Sequence, residues 1–334
     1  MRIFVVEYIT GGGQHGSALN AGLLPEAELM LEALLGDLLE IEDVELLVSR
    51  DARLPPLQAD CGVFVPRGDA DIWAQWRACI DSCDAVWPVM PESGGLLQRI
   101  SELTLARGRH LIGSRPAAVA VAASKYRTAE RLRQAGIAAL PAFRVDATIP
   151  RLPGPWVVKP DDGVGCEGIE VFPDHAGLCL ALRDRERYRD CIAQPFLDGE
   201  AASLSLLCDR GAARLLTVNL QQIVRAGNAL ALTGLQVNGR VPVDDGYRDL
   251  GAAVAAALPG LWGYAGVDLV ITPDGPVIVE VNPRLTTSYA GIYSALGVNP
   301  AALILQMLCG VAPPARAWGG SNCVNLDLEA LHVA

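Results

Sequence analysis

GVDLVITPDGPVIVEVNPR, residues 266–284, carries two β-rich runs, GVDLVIT and PVIVEVN, around the turn Thr272, Pro273, Asp274, Gly275, Pro276. With the turn centred on Asp274, Asp268 lies directly opposite Glu280, and Asn282 follows two residues on, upon the same face. Val267, Leu269, Ile271, Val277, Val279 and Val281 then point the other way, into a core. Two carboxylates facing each other across a strand pair repel and should destabilise the hairpin. A bound cation reverses that sign. Oxygen donors without Cys or His select a hard ion such as magnesium, which commonly shares its shell with nucleotide phosphates. A solvated outer face of an antiparallel sheet gives the same alternation, and Arg284 weighs against it by adding a bidentate phosphate-binding group beside the acids.

Upstream, VVKPDDGVGCEGIEVF (157–172) places Gly163, Gly165 and Gly168 in GxGxxG spacing, but the strand-like IEVF follows where a dinucleotide-binding loop requires a helix. No GxxxxGK[ST] occurs either. A glycine-rich loop between two strands remains, preceded by Lys159 and suited to covering phosphates with backbone N–H groups; a plain hairpin loop is the alternative. CIAQPFLDGE (191–200) runs from an apolar strand into a turn that could offer backbone groups of Phe196 and Leu197 to a flat base, with Glu200 near a ribose. Read in isolation it is a strand and a turn. Lys125, alone, reads as a surface lysine within one long helix, RPAAVAVAASKYRTAERLRQAG (115–136).

The first third has the grammar of repeated strand–helix units: RIFVVEYI, a helix from Pro25 to Leu39, VELLVS, CGVFVP, a helix near Asp71 to Ser82, DAVWPVM, a helix near Leu96 to Arg107 and HLIGS. A doubly wound parallel sheet over 1–115 follows, and the fold class is α/β. Ligands of such sheets lie beyond the carboxyl ends of the strands, so TGGGQHGS (10–17) and PESGG (91–95) are candidate binding loops, with ordinary βα turns as the alternative.

The 334 residues are 51% hydrophobic and 5% aromatic, with a formal net charge of -11 and no basic stripe able to neutralise successive phosphates of a polymer. Nucleic acid is not an expected partner. The longest apolar runs fall short of a membrane span of about 18 residues. With no signal-like leader, the expected location is cytoplasmic. The nine cysteines, without a CxxC pair, are expected to be reduced and mostly buried.

In order, SKYRT, VVKPDDGVGCEG, QPFLDGE, GVDLVI and VIVEVNPR resemble the ATP-grasp family across essentially the whole chain. The resemblance implies an N-terminal pre-grasp domain (1–115), an ATP-grasp small lobe with the glycine-rich loop (116–200) and a C-terminal lobe with the metal site (201–334), the two α+β lobes clasping ATP. It implies that Lys125, Lys159, Gly163 and Gly165 contact phosphates, that Gln194, Pro195, Phe196 and Leu197 meet the adenine, and that Glu200 meets the ribose. Asp268, Glu280 and Asn282 would hold one or two Mg2+ ions, with Mn2+ as a substitute, and Arg284 with Lys159 would stabilise the transferring phosphoryl group. Gln194 stands where many relatives carry an acid, and no arginine immediately precedes Asp268.

EYITGGG (7–13) and EVNPRLTTSY (280–289) look most like the tyramine–glutamate ligase group, which serves methanofuran-type one-carbon carriers. The implied reaction activates a carboxylate as an acyl phosphate, which an amine attacks to form an amide with release of ADP and phosphate. Small-molecule acid and amine substrates would be bound by Gly12, Gly13, Arg225, Thr286, Thr287 and Ser288, and a homodimer through the N-terminal domain is common in the family. A small-molecule kinase and a nucleotide-binding module without turnover are the rival readings.

Overall fold

The computed structural model describes residues 1–334 except 69–70, 166–167, 241–243, 314–317, 319 and 330–334, so that Cys166 lies outside the described residues. Its first sheet joins β1 (Arg2–Glu7), β2 (Glu45–Ser49), β3 (Gly62–Phe64), β4 (Ala85–Val89) and β5 (His110–Leu111) in the order β3-β2-β1-β4-β5, every pairing parallel. The connecting helices are α1 (Leu24–Leu39), α2 (Ile72–Asp81) and α3 (Leu96–Ala106). The RIFVVE run shows why both faces need cover. Ile3 and Val5 pack with Leu31, Leu34 and Leu38 of α1, whereas Phe4 and Val6 pack with Trp76, Ile80 and Ile100 of α2 and α3. Alternation along one strand thus feeds two helical layers. Because β2 and β4 flank β1 on opposite sides, the carboxyl ends of β1 and β4 open onto a crevice.

The expected long helix over 115–136 is two: α4 (Pro116–Ala122) and α5 (Lys125–Gln134). Ser124 breaks it by taking an extended conformation and capping α5, its hydroxyl accepting from the Arg127 N–H and donating to Asp161 Oδ2 at 2.6 Å. An antiparallel sheet follows in the order β6-β9-β7-β8, from β6 (Phe143–Arg144), β7 (Trp156–Pro160), β8 (Glu170–Phe172) and β9 (Cys191–Pro195), with α6 (His175–Ala181) packed on it.

The largest sheet, β14-β13-β10-β11-β12-β15, uses β10 (Glu200–Asp209), β11 (Ala212–Ala226), β12 (Ala229–Val237), β13 (Gly263–Thr272), β14 (Gly275–Asn282) and β15 (Val324–Asp327). Helix α7 (Asp245–Ala257) packs on β10 and β11, and α8 (Tyr289–Leu296) and α9 (Pro300–Leu308) pack on α1. That last contact is closed by Tyr289, whose hydroxyl donates to buried Asp37 Oδ2 at 2.6 Å. No single helix among the described residues is long and apolar enough to cross a membrane, and the cysteines described are unbridged.

The β13–β14 hairpin pairs Asp268 with Glu280, as the sequence suggests, by a different route. The turn holds two residues, Pro273 and Asp274, so Thr272 pairs with Gly275 and Leu269 with Ile278; a bulge at Val279 then shifts the register by one. The core face is corrected accordingly. Ile278 is buried with Val267, Leu269 and Val281, whereas Val279 lines a cavity and Val277 is only half-buried.

Replacing Ser124 by Ala removes the cap of α5 and should lower folding stability by about 1 kcal/mol. Chemical denaturation checks this; a midpoint equal to that of the parent contradicts the capping role.

Candidate functional site

Helix α5, strands β7 and β13–β14, and the carboxyl ends of β1 and β4 all contribute to one cavity of about 710 Å³. Lys125 reaches it because the Ser124 cap turns the chain there. The residue is 7% exposed, not on the surface as its sequence context suggests, and its Nζ lies 2.5 Å from Gly163 O and 3.5 Å from Glu280 Oε2. Lys159, on β7, is 6% exposed and places Nζ 3.9 Å from the same oxygen.

Asp268 and Glu280 sit deep in the molecule yet open onto the cavity, so each keeps some accessible surface. Both oxygens of Asp268 accept amide donors at 2.9 Å, Oδ1 from Gln221 and Oδ2 from Asn282. Burial first, and then the charge of Glu280, push the Asp268 carboxyl up to about 7. Burial also pushes Glu280 upward, but the Lys125 and Lys159 ammoniums, its hydrogen bond with Asp268 and the Arg284 guanidinium outweigh it and hold Glu280 below the ordinary range. The two acids therefore divide one proton, with Asp268 as its holder. Among the described residues no group of three or more His, Cys, Asp or Glu could hold a metal ion. Two facing carboxylates with an adjacent amide still fit a hard cation that takes its remaining ligands from phosphates and water.

Arg284 is held from the first sheet. Its Nε donates to Glu92 Oε2 at 3.0 Å and its Nη1 to Leu285 O, and Glu92 belongs to the PESGG loop. The same loop touches the glycine-rich loop, the Gly94 N–H donating to Asp162 Oδ2 at 2.9 Å. At Gly165, with φ +63°, a Cβ would meet Leu23 Cδ2 at 2.7 Å, so this glycine lets the loop close down beside the start of α1. PESGG is thus a clasp between the arginine and the glycine loop.

Gln194, Pro195, Phe196 and Leu197 line the cavity, as do Gly163, Gly165 and Glu200. One detail of the sequence reading is corrected: the Phe196 N–H donates to Pro155 O at 2.9 Å and so is not offered to a base. Glu200 is paired with Arg240 at 2.9 Å. Arg225, Thr286, Thr287 and Ser288 also line the cavity, Ser288 and Thr286 within a hydroxyl network through Tyr264.

Gly12 and Gly13 are not among the lining residues. A Cβ at Gly12 would meet Pro66 Cγ at 2.8 Å and one at Gly13 the Tyr8 ring at 2.3 Å, so these glycines serve tight packing of the turn. Lining residues that sequence reasoning missed include Glu7, Glu26, Met30 and Gln221. Glu7 ends β1 at the edge where ligands are expected, which was a usable signal; Gln221 had none, since only the β10-β11 and β10-β13 pairings bring it to Asp268.

Comparison with known proteins gives three kinds of likeness. Residues 122–288 match the ATP-grasp domain family and residues 44–119 the pre ATP-grasp 3 domain. The chain is 25% identical over 273 residues to a tyramine–L-glutamate ligase of Methanocaldococcus jannaschii, covering 81% of this chain and 79% of that protein. In fold it is similar to L-amino acid ligase from Bacillus licheniformis, with TM-score 0.65, 17% identity and coverage of 92% and 73% of the two chains. It is likewise similar to the ADP complex of N5-carboxyaminoimidazole synthetase from Staphylococcus aureus, with TM-score 0.69, 15% identity and coverage of 97% and 81%.

The carboxyls lifted by burial set the pH dependence of stability. Glu7 and Asp268 at about 7 and Asp37 at about 6 lie above their unfolded values of about 4, so their contribution is complete below the unfolded pKa and is lost as pH rises through the folded one. Glu280, held low, adds no slope above its unfolded value. Without divalent cations the melting temperature should fall between about pH 5 and pH 8, less steeply in Asp268→Asn. A wild-type melting temperature rising over that window, or equal slopes in the two proteins, contradicts this.

Proposed function

The chain belongs to the ATP-grasp family, and on that premise we propose that it is an ATP-dependent ligase joining a carboxylate to an amine through an acyl phosphate. The observation that carries the reading is Glu280, paired across β13–β14 with Asp268 and approached by both Lys125 and Lys159, all on one cavity under a glycine-rich loop. Magnesium, when bound at Asp268, Glu280 and Asn282, supplies charge neutralisation at the nucleotide phosphates. Lys125 and Lys159 add fixed positive charge from the small sheet's side, and Arg284, held by Glu92, presents a planar cation beside the pair. The glycine loop, closed against Leu23, excludes water that would hydrolyse the activated acid. Gln194 to Leu197 form the adenine wall, and Glu200 the ribose contact.

The acid substrate is an amino acid such as glutamate, and the product belongs to biosynthesis of a one-carbon carrier of methanofuran or tetrahydromethanopterin type. The likeness to tyramine–L-glutamate ligase over most of both chains supports this reading. With the reading go a division into 1–115, 116–200 and 201–334 and a cytoplasmic location.

ADP release should require both glutamate and an amine, and hydroxylamine in place of the amine should yield a hydroxamate. Glu280→Gln and Lys159→Ala should each lower turnover by about 100-fold or more. ADP formation with a phosphorylated product and no hydroxamate supports a kinase instead. No ADP across a broad panel of acids and amines supports a module without turnover.

A further inference from the structure

Two acids line the cavity without a part in holding nucleotide: Glu7 and Glu26. Glu7 ends β1 and is 3% exposed, with one carboxylate oxygen accepting the Thr10 N–H at 2.6 Å. A glutamine would accept that N–H equally well, so the turn does not explain the acid. Among the described residues no ion pair reaches Glu7: Arg50 is matched to Glu28 at 2.8 Å, Arg53 to Asp51 at 2.7 Å and Arg284 to Glu92 at 3.0 Å. On β1, β2, β4 and α1 themselves the other charged groups are Glu26, which lines the same cavity, Glu32 and Asp37 farther along α1, and Arg2, which pairs with Glu45 at 3.1 Å at the far end of β1. Burial, ahead of the opposing Thr10 N–H, pushes the Glu7 carboxyl up to about 7, with the Glu28 charge adding to the rise.

Its place follows from register. Glu7 pairs with Val89, and Met90 and Pro91, both lining the cavity, lead to the Glu92 that holds Arg284. Glu26, in the first turn of α1, accepts the Thr287 hydroxyl three residues beyond Arg284. The two carboxylates therefore reach the cavity from the first sheet and α1, at the edge where Arg284 enters from the hairpin.

An alkylammonium, with a pKa of about 10, is almost wholly protonated at neutral pH and has no lone pair to attack with. We propose that Glu7 and Glu26 hold the ammonium of the acceptor and that Glu7 takes its proton. This rests on the carboxylate–amine ligase reading. One proton passes from nitrogen to the Glu7 carboxylate; the freed lone pair forms the N–C bond to the acyl carbon; the C–O bond to phosphate breaks, and its electron pair leaves with the phosphate. The second proton lost by nitrogen goes to the departing phosphate, and Glu7 returns its own to solvent. A base whose pKa lies near the working pH suits this transfer.

The test compares an alkylamine with hydroxylamine, which is already unprotonated at neutral pH. In Glu7→Gln the ratio of alkylamine to hydroxylamine turnover should drop by about 100-fold. In the wild type, turnover with the alkylamine should show an acidic limb near pH 7 that hydroxylamine does not show; this arm needs no variant to fold. Equal losses with both acceptors, an unchanged ratio, or identical pH profiles overturn the role of Glu7. Failure of the wild type to form any hydroxamate overturns the ligase reading itself.

Discussion

Two like charges brought face to face inside a protein are costly, and the pairing of Asp268 with Glu280 is the constraint around which this molecule is arranged. Two positive side chains, Lys125 and Lys159, come to the same Glu280 oxygen from separate elements, and the two amides of Gln221 and Asn282 occupy the oxygens of Asp268. The lysines favour an ionised Glu280, whereas at Asp268 burial and the charge of Glu280 outweigh the two amides and push the carboxyl up. Glu280 is kept ionised, and Asp268 is left holding a proton that a cation would displace.

The rest of the fold can be understood as delivery to that pair. Ser124 interrupts an alanine-rich helix so that Lys125 opens α5 pointing inward, and the Val279 bulge brings Glu280 opposite Asp268 while keeping Ile278 in the core. The parallel sheet joins in through its strand ends. Glu92 holds Arg284, Gly94 holds Asp162 of the glycine loop, and Asp37 holds Tyr289 behind the hairpin. Movement of the first sheet relative to the hairpin would therefore disturb the arginine and the glycine loop together.

Much of this was legible in the chain because it rests on local patterning. The period of two along 266–284 put both acids on one face, and the strand–helix alternation over 1–115 gave the parallel sheet. What was not legible depends on tertiary partners. The bulge at Val279 reverses the faces of Val277 and Ile278, and no residue type announces it. Lys125 looked like a surface residue until a serine cap, itself fastened to Asp161, turned it inward. Gly12 and Gly13 had the composition of a ligand loop, yet their missing side chains make room for Pro66 and Tyr8. Glu92 acts across two sheets and Gln221 across the strands of one, each on a residue that the sequence places far away.

Asp268 keeps a proton that it must give up to serve as a ligand of a nucleotide-bound cation. Calorimetric titration with Mg2+ and ADP at about pH 6, in buffers of different ionisation enthalpy, measures that proton directly. Binding to the wild type should release about one proton more than binding to Asp268→Asn. Equal proton release by the two proteins would contradict the account.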